Sequence, residues 1–406
     1  MNDVVVNHRY ANQFTEFGRG PVSVEPSRSP QWFEDERLAI FNRCWLNVGR
    51  LDDVPQPGDY LVRTVDVWNT SLLIVHGRDR RVRAFHNVCT HRGNLVANEG
   101  KGSCRGFLTC PFHGWVFDDT GRLCDVTDAG NFFDLDRNRL GLREIACDVW
   151  NGFVFASLDP QQSLTEYLGP LTQRKLTHYP FDQLTTRFTY QADERVNWKV
   201  LLDAQQEGYH VPYIHKRTLS LSFPETLTRF RSLLMEIMGS HRLLSTGPSA
   251  APFSPTPTGK VAMKFGPNSL EAFAGGGDAT GYAEAMEGVF DFHVIFPNFV
   301  IAVLYGTYFT YNMWPIAADR TLWEVNMYYP QLANAGQLFA AEYGKVGLRD
   351  GLLEDASTHE RTQRGIASGA ITHFQFQDEE FACRHGHEAV MAWVSQWRAD
   401  SSATAG

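Results

Sequence analysis

Apolar residues change their period several times along the chain. Between Pro30 and Arg50 (PQWFEDERLAIFNRCWLNVGR), Trp32, Phe33, Leu38, Ile40, Phe41 and Trp45 recur at helical spacing, which predicts helix. After Pro55 the runs shorten to DYLVRTV, SLLIVHG and RVRAFHNV. These are rich in β-branched and aromatic residues and separated by turn residues, with Gly77-Arg78-Asp79 as a hairpin tip. GFLTC, GWVFDD and GFVFASLD continue the pattern until Asp159-Pro160 ends it. Residues 40–159 are therefore expected to form a small, mostly β domain.

Helical signals return with SLTEYLGPL, and a strand-like run, TTRFTYQADERVNW, leads into a helix holding VLLDAQQEGYH. Residues 247–281 are rich in Pro, Ser and Gly and predict a long loop or lid. Strands are expected over Phe292–Tyr329 and helices over 347–368 and 378–399. The most apolar stretch, FHVIFPNFVIAVLYGTYF, is broken by Pro297, Asn298 and Gly306, and reads as two strands joined by a Pro-Asn turn rather than a membrane span. The fold class expected is α+β. The β domain is inserted near the N-terminus of a larger mixed α/β domain (1–39 and 160–406), built on an antiparallel sheet flanked by helices.

Composition narrows the function. With 406 residues, 43% apolar and 20% charged, the chain is globular and long enough for two or three cores. A formal charge of -9 argues against a nucleic-acid role. The 7 cysteines are no disulfide framework and suit a reducing compartment in which thiols serve as ligands or core residues. MNDVVVNHRYANQF lacks the pattern of a signal peptide, so a cytoplasmic location is expected. AGGGDATG (274–281) lacks the Gly-Lys-Ser/Thr ending of a phosphate loop.

Two constellations carry chemistry. The first is CTHRGNLVANEGKGSCRGFLTCPFHGW, in which Cys89-x-His91 and Cys110-x-x-His113 face each other across residues 92–109. Cys and His bind transition metals, and two mixed tips leave open a zinc site or a two-iron cluster with unequal irons. Cys104 is the competing thiol but lacks a histidine three residues on, and His86 and Cys124 read as structural neighbours. CTHRG and CPFHGW strongly resemble the Rieske [2Fe–2S] motif, with Gly93 and Gly114 permitting tight loops. The spacing is a residue or so longer than the family's, an insertion placed in the loop ANEGKGS.

The second constellation is NWKVLLDAQQEGYHVPYIH. Glu207 and His210 are three apart and would share a helix face. His210 and His215 would diverge by about 140° on a straight helix, but Pro212 is expected to bend or end it. This stretch resembles the mononuclear iron motif of Rieske non-haem iron oxygenase α subunits, the aromatic-ring-hydroxylating family. The resemblance makes His210 and His215 two legs of a 2-His-1-carboxylate site that leaves Fe(II) positions open for O₂. For the third leg, spacing leaves Glu354, Asp355, Glu360 and the DEE at 378–380 open, with His359 a nearby competitor. Likeness of GLLEDASTHERTQRGIASG to the family's segment points to Asp355.

Family likeness in VSVEPSRSPQWFEDERLAIFNRCWLNVGR, VPQPGDYLV, NVCTHRG, CPFHGW, NWKV and GYHVPYIH covers most of the chain and is loose only over 225–350. It implies a homotrimer (α3) or α3β3, with one Rieske cluster and one mononuclear Fe(II) per subunit. Electrons from NAD(P)H would arrive through a reductase, in some members via a ferredoxin. They would leave the cluster through His91 or His113, usually the latter, and cross by Glu207 to His210 of a neighbouring subunit. Most members carry Asp at Glu207; Glu occurs in members acting on quaternary ammonium compounds.

Pocket walls are expected from Phe292–Tyr311 and from Asp203, Ala204 and Val211. Aromatic content of 13% suits an apolar, aromatic substrate, and equally an aromatic cage for a quaternary ammonium. Arg78, Arg80, Arg81, Arg83, Arg92, Lys101 and Arg105 surround the first motif, as a basic collar for an acidic redox partner or as ordinary surface charge. The reading is an oxygenase, mono- or dioxygenase, acting on an apolar substrate; the alternative within it is a monooxygenase demethylating a quaternary ammonium. A Rieske carrier fused to a non-catalytic domain and a zinc-stabilised binding protein are the readings outside it.

Overall fold

The computed structural model describes residues 9–98, 100–218, 234–246, 256–266 and 282–404. The chain divides into two compact units, Phe41–Tyr167 and the combination of Met1–Ile40 with Leu168–Gly406.

The smaller unit is built on a seven-stranded antiparallel sheet. Its order is Leu46–Arg50, Phe153–Ser157, Glu144–Trp150, Val82–His86, Thr70–His76, Asp59–Val65 and Gly100–Ser103. A three-stranded sheet adds Phe107–Thr109, Val116–Asp118 and Leu123–Asp125. The hairpin tip at Gly77 closes through Gly77 N–H to Arg81 O and Arg80 N–H to Gly77 O, each 2.8 Å.

Two sequence expectations change in this unit. Helix was expected as far as Arg50, but the α-helix covers only Pro30–Glu36, widens into a π turn over Arg37–Phe41, and gives way to the strand Leu46–Arg50. Asn47 explains the switch: its Nδ2 donates to Val154 O at 3.2 Å and fastens the segment to the neighbouring strand. The stretch ANEGKGS, expected as a loop, contributes the edge strand Gly100–Ser103.

The larger unit carries its own seven-stranded antiparallel sheet. The order is Thr186–Glu194, Arg320–Tyr329, Thr307–Ala317, Phe299–Leu304, Phe290–Ile295, His241–Thr246 and Leu234–Met238. The edge strand alternates exposed and half-buried positions over Thr186–Asp193 and ends on buried Glu194, while FVIAVL (Phe299–Leu304) is buried at every residue. The Pro-Asn turn joins two strands as expected, and Asn298 anchors it by donating Nδ2 to Met313 O at 3.0 Å.

Helices Trp198–Gln205, Val211–Ile214, Pro257–Phe265, Ala335–Ala367 and Phe381–Thr404 belong to this unit. Pro257–Phe265 falls inside the expected loop 247–281; Thr256 caps it by accepting from Gly259 N–H at 3.1 Å. The rest of that stretch, AGGGDATG included, lies outside the described residues. The helix expected from 347 starts at Ala335, where Asn334 accepts from Gln337 N–H at 3.0 Å. No helix among the described residues is long and apolar enough to cross a membrane.

Candidate functional site

In the smaller unit the two Cys/His tips come together. Cys89 and Cys110 are buried among Leu108, Trp115 and Phe117, and their sulfurs lie within hydrogen-bonding reach of each other. His91 Nδ1 and His113 Nδ1 lie 3.1 Å apart. The tip backbones fold back identically: Gly93 N–H donates to Cys89 O at 2.9 Å and Gly114 N–H to Cys110 O at 3.0 Å. Both glycines have positive φ, +79 and +71°, where a side chain would be strained.

Thiolate is favoured on one sulfur. Burial opposes ionisation of Cys110, but the N–H groups of Phe112 and His113 and the hydrogen bonds from Cys89 and Asn94 outweigh it, and its pKa falls below the usual thiol value. Burial raises that of Cys89. His91, stacked on Trp115 with centroids 4.9 Å apart, is held below the ordinary imidazole pKa by burial and by His113, which favours the neutral ring a metal needs. Cys104 packs only at the edge of this core. Two sulfurs paired on one side and two ring nitrogens paired on the other fit a two-iron cluster with unequal ends.

In the larger unit the helix begins at Asn197, a buried cap whose Oδ1 accepts from Lys199 N–H at 3.1 Å. It ends at Gln205, sooner than expected, and a one-turn helix starts at Val211 with Pro212 in its first turn, where a missing N–H costs nothing. Glu207 and His210 therefore do not share a helix face. They are joined by a turn in which Glu207 Oε2 accepts from the N–H groups of Tyr209 and His210, while Oε1 holds His210 Nδ1.

That corner aims both imidazoles at Asp355. His210 Nε2 and His215 Nε2 are 3.3 Å apart, and Asp355 Oδ1 lies 3.5 and 3.1 Å from them. Asp355 Oδ1 is buried and receives no aligned hydrogen bond, and three converging donors with such an orphan oxygen fit a divalent transition ion. Burial alone would lower the His215 pKa, but Asp355 and Glu354 outweigh it and raise the value.

The remaining acidic candidates are engaged elsewhere. Glu354 accepts from His215 Nδ1 at 3.0 Å and Thr218 Oγ1 at 2.6 Å, so it holds the back of the imidazole. Sequence reasoning weighed Glu354 only as a metal ligand; adjacency to Asp355 on one helix, about 100° around it, is the signal for this second role. His359 pairs with Glu194 (2.7 Å), Glu360 accepts from Arg195 N–H (3.1 Å), and Asp378 accepts from Ala11 N–H (2.8 Å). Burial, then the charges of Glu207 and Asp203, push the Glu380 pKa up to about 7.

The three donors open onto a cavity of about 540 Å³. Its walls include Phe290, Phe292, Phe309 and Tyr311 from the sheet and Ala204 and Val211 beside the histidines. Asp203 does not line it: it faces His387, 2.8 Å away. In the basic collar Arg78, Arg83 and Lys101 are paired with Asp119, Asp79 and Asp53, which favours ordinary surface charge for those three.

The Rieske [2Fe-2S] domain family matches residues 44–136, and the ring hydroxylating alpha subunit (catalytic domain) family matches 181–396. The glycine betaine monooxygenase oxygenase subunit of Chromohalobacter salexigens is 33% identical over 193 residues, 47% of this chain and 42% of that protein. Choline monooxygenase of Spinacia oleracea is 35% identical over 198 residues, 46% and 43% of the two chains. The Escherichia coli carnitine monooxygenase oxygenase subunit is 32% identical over 187 residues, 45% and 49%. The matched region thus spans about half or less of these relatives' length.

Among solved structures, the quaternary ammonium Rieske monooxygenase CntA with an inhibitor superposes with a TM-score of 0.73 at 21% identity, over 92% of this chain and 95% of that one. Naphthalene 1,2-dioxygenase from Rhodococcus sp. gives 0.73 at 20%, over 95% and 98%. At such identities the likeness concerns the fold. The chain belongs to the ring-hydroxylating α-subunit family, with a Rieske [2Fe–2S] domain preceding the catalytic domain.

Proposed function

We propose that the protein is the terminal oxygenase of a Rieske system, a monooxygenase that oxidises a quaternary ammonium or similarly cationic substrate with O₂. The observation that carries this reading is the convergence of His210, His215 and Asp355 at the wall of a large, aromatic-lined cavity.

In this reading Cys89 and Cys110 hold one iron of the cluster and His91 and His113 the other, while His210, His215 and Asp355 hold the mononuclear iron. Bound there, that iron supplies O₂ activation, and the cluster supplies one-electron storage. The chain's own residues do the rest. Glu354 fixes the His215 ring and tautomer from behind, leaving Nε2 as the donor. Glu207 does the same for His210 through Nδ1, and its carboxylate is the link by which an electron enters from the cluster of a neighbouring subunit. Trimeric assembly and an NAD(P)H-dependent reductase, with or without a ferredoxin, complete the proposal. The cavity wall orients the substrate and excludes water from the reacting face.

Substrate class rests on three supports. By the family resemblance Glu207 stands where most ring-hydroxylating members carry Asp, the curated relatives named above are betaine, choline and carnitine monooxygenases, and the aromatic wall suits an onium group. The apolar reading keeps one favouring observation, a largely apolar wall that includes Phe290, Phe292 and Phe309. The test is O₂ and NAD(P)H consumption by the iron-loaded protein with a reductase, run against a panel of betaines and cholines and a panel of bicyclic aromatics. Coupled turnover with the aromatics alone would reverse the substrate assignment, and no coupled turnover with either would remove it.

A further inference from the structure

Gln206, the residue before Glu207, is 2% exposed and held from two sides. Its Oε1 accepts from Arg242 Nε at 2.6 Å, and its Nε2 donates to Asp203 Oδ1 at 3.1 Å. Asp203 Oδ2 lies 2.8 Å from His387 Nε2. The series Arg242, Gln206, Asp203 and His387 ties the end of the Trp198–Gln205 helix to the His241–Thr246 strand and the Phe381–Thr404 helix.

The series is incomplete at Arg242. This side chain is 1% exposed, and neither Nη1 nor Nη2 has a hydrogen-bond partner. Burial brings its pKa down to about 10, so the guanidinium stays charged near neutrality and its unmatched N–H groups are costly. Beside it is a void of about 10 Å³, lined by Arg242, Lys199, Gln206, Asp203, Gly386 and His387 and closed on its other side by apolar residues. Space of that size holds about one water molecule. Gly386 keeps it open, since a Cβ there would stand 3.0 Å from Arg242 Nη2.

We propose that this void is a binding site for one water molecule, which accepts from the Arg242 Nη groups and completes a buried brace on the Gln206–Glu207 turn. Water suits the site because it can accept from Arg242 and donate toward the Asp203 carboxylate. A halide would bring its charge next to that carboxylate. Arg242 is a positioning residue, acting on Glu207 through Gln206. That part of the inference rests on the reading of Glu207 as the electron link; the solvent site does not.

The experiment is a high-resolution crystal structure of the iron- and cluster-loaded protein grown in bromide, with Gly386→Ala and Arg242→Lys alongside. Expected is an oxygen-sized peak within about 3.2 Å of Arg242 Nη, without anomalous signal. A bromide peak, or no density, overturns the site. In Gly386→Ala the peak should vanish and cluster-to-iron electron transfer should slow about 10-fold, with the reduced-cluster EPR signal and potential unchanged. Wild-type transfer in both variants overturns the brace, and Gly386→Ala decides alone where Arg242→Lys does not fold. A Glu207→Gln protein with wild-type transfer would instead remove the electron-link reading and leave the density test of the solvent site standing.

Discussion

His215 is gripped at both ring nitrogens by neighbouring residues of one helix: Nδ1 is 3.0 Å from Glu354 Oε2, and Nε2 is 3.1 Å from Asp355 Oδ1. Successive helical residues point about 100° apart, so one side chain reaches the donor face and the next reaches behind the ring. Replacing Glu354 by Gln should leave the fold and cluster intact while weakening iron binding about 10- to 100-fold, the usual effect of losing such a partner. Chelator competition with the mononuclear iron measures it. Unchanged affinity would mean that the ring is held by packing alone.

Glu207 makes a different demand on its variant. Glu207→Gln can still accept from the Tyr209 and His210 N–H groups but no longer offers a carboxylate to His210 Nδ1. Iron affinity should fall as in Glu354→Gln, and in protein reloaded with iron to full occupancy, reoxidation of the reduced cluster in single turnover should slow by about 100-fold. Glu207→Asp, which keeps the charge, should recover part of that rate. Equal rates in wild type and Glu207→Gln would exclude the carboxylate link.

The thiols are separable by substitution. Cys110→Ser should abolish the reduced-cluster EPR signal, because it removes a sulfur whose thiolate the tip N–H groups favour. Cys104→Ser should leave that signal unchanged, since Cys104 sits at the edge of the same core. Loss of signal in Cys104→Ser alone would move the ligand assignment.

His293 sets an acid limit. It is 1% exposed, with no partner for either ring nitrogen, and burial, aided by Arg174, pulls its pKa from 6.5 to about 3. The unfolded chain therefore binds the extra proton between those values. The stability from keeping this ring neutral is complete above pH 6.5 and is lost as pH falls toward about 3, up to a few kcal/mol. Denaturant melts of His293→Leu across that window should show a shallower pH slope than wild type, and parallel slopes would count against the assignment.

Much of this was legible in the sequence, for reasons that differ by residue. Cys89, His91, Cys110 and His113 announce themselves because each ligand pair is local, held by a tight turn a glycine must make. The His210–His215 pair rested on reading Pro212 as the bend; the helix instead ends at Gln205, and Pro212 lies in the first turn of the next helix. The strand at Leu46 was hidden because what decides it is Asn47 bonding to a chain segment more than a hundred residues away. Asp203 was misplaced for the same reason: its partner, His387, lies 184 positions on.

The third donor resides on a helix far along the chain from the two histidines. His215 and Glu354 are separated by 139 residues, so an ion held by His210, His215 and Asp355 would fasten the helical corner to a helix far along the chain. Such an ion is a cross-link as well as a reagent, closing a long loop whose entropy the unfolded chain would otherwise regain. A nascent chain meets that condition only once the Ala335–Ala367 helix has been made, so loading of the mononuclear site requires a chain in which every strand of the larger sheet has already been synthesised.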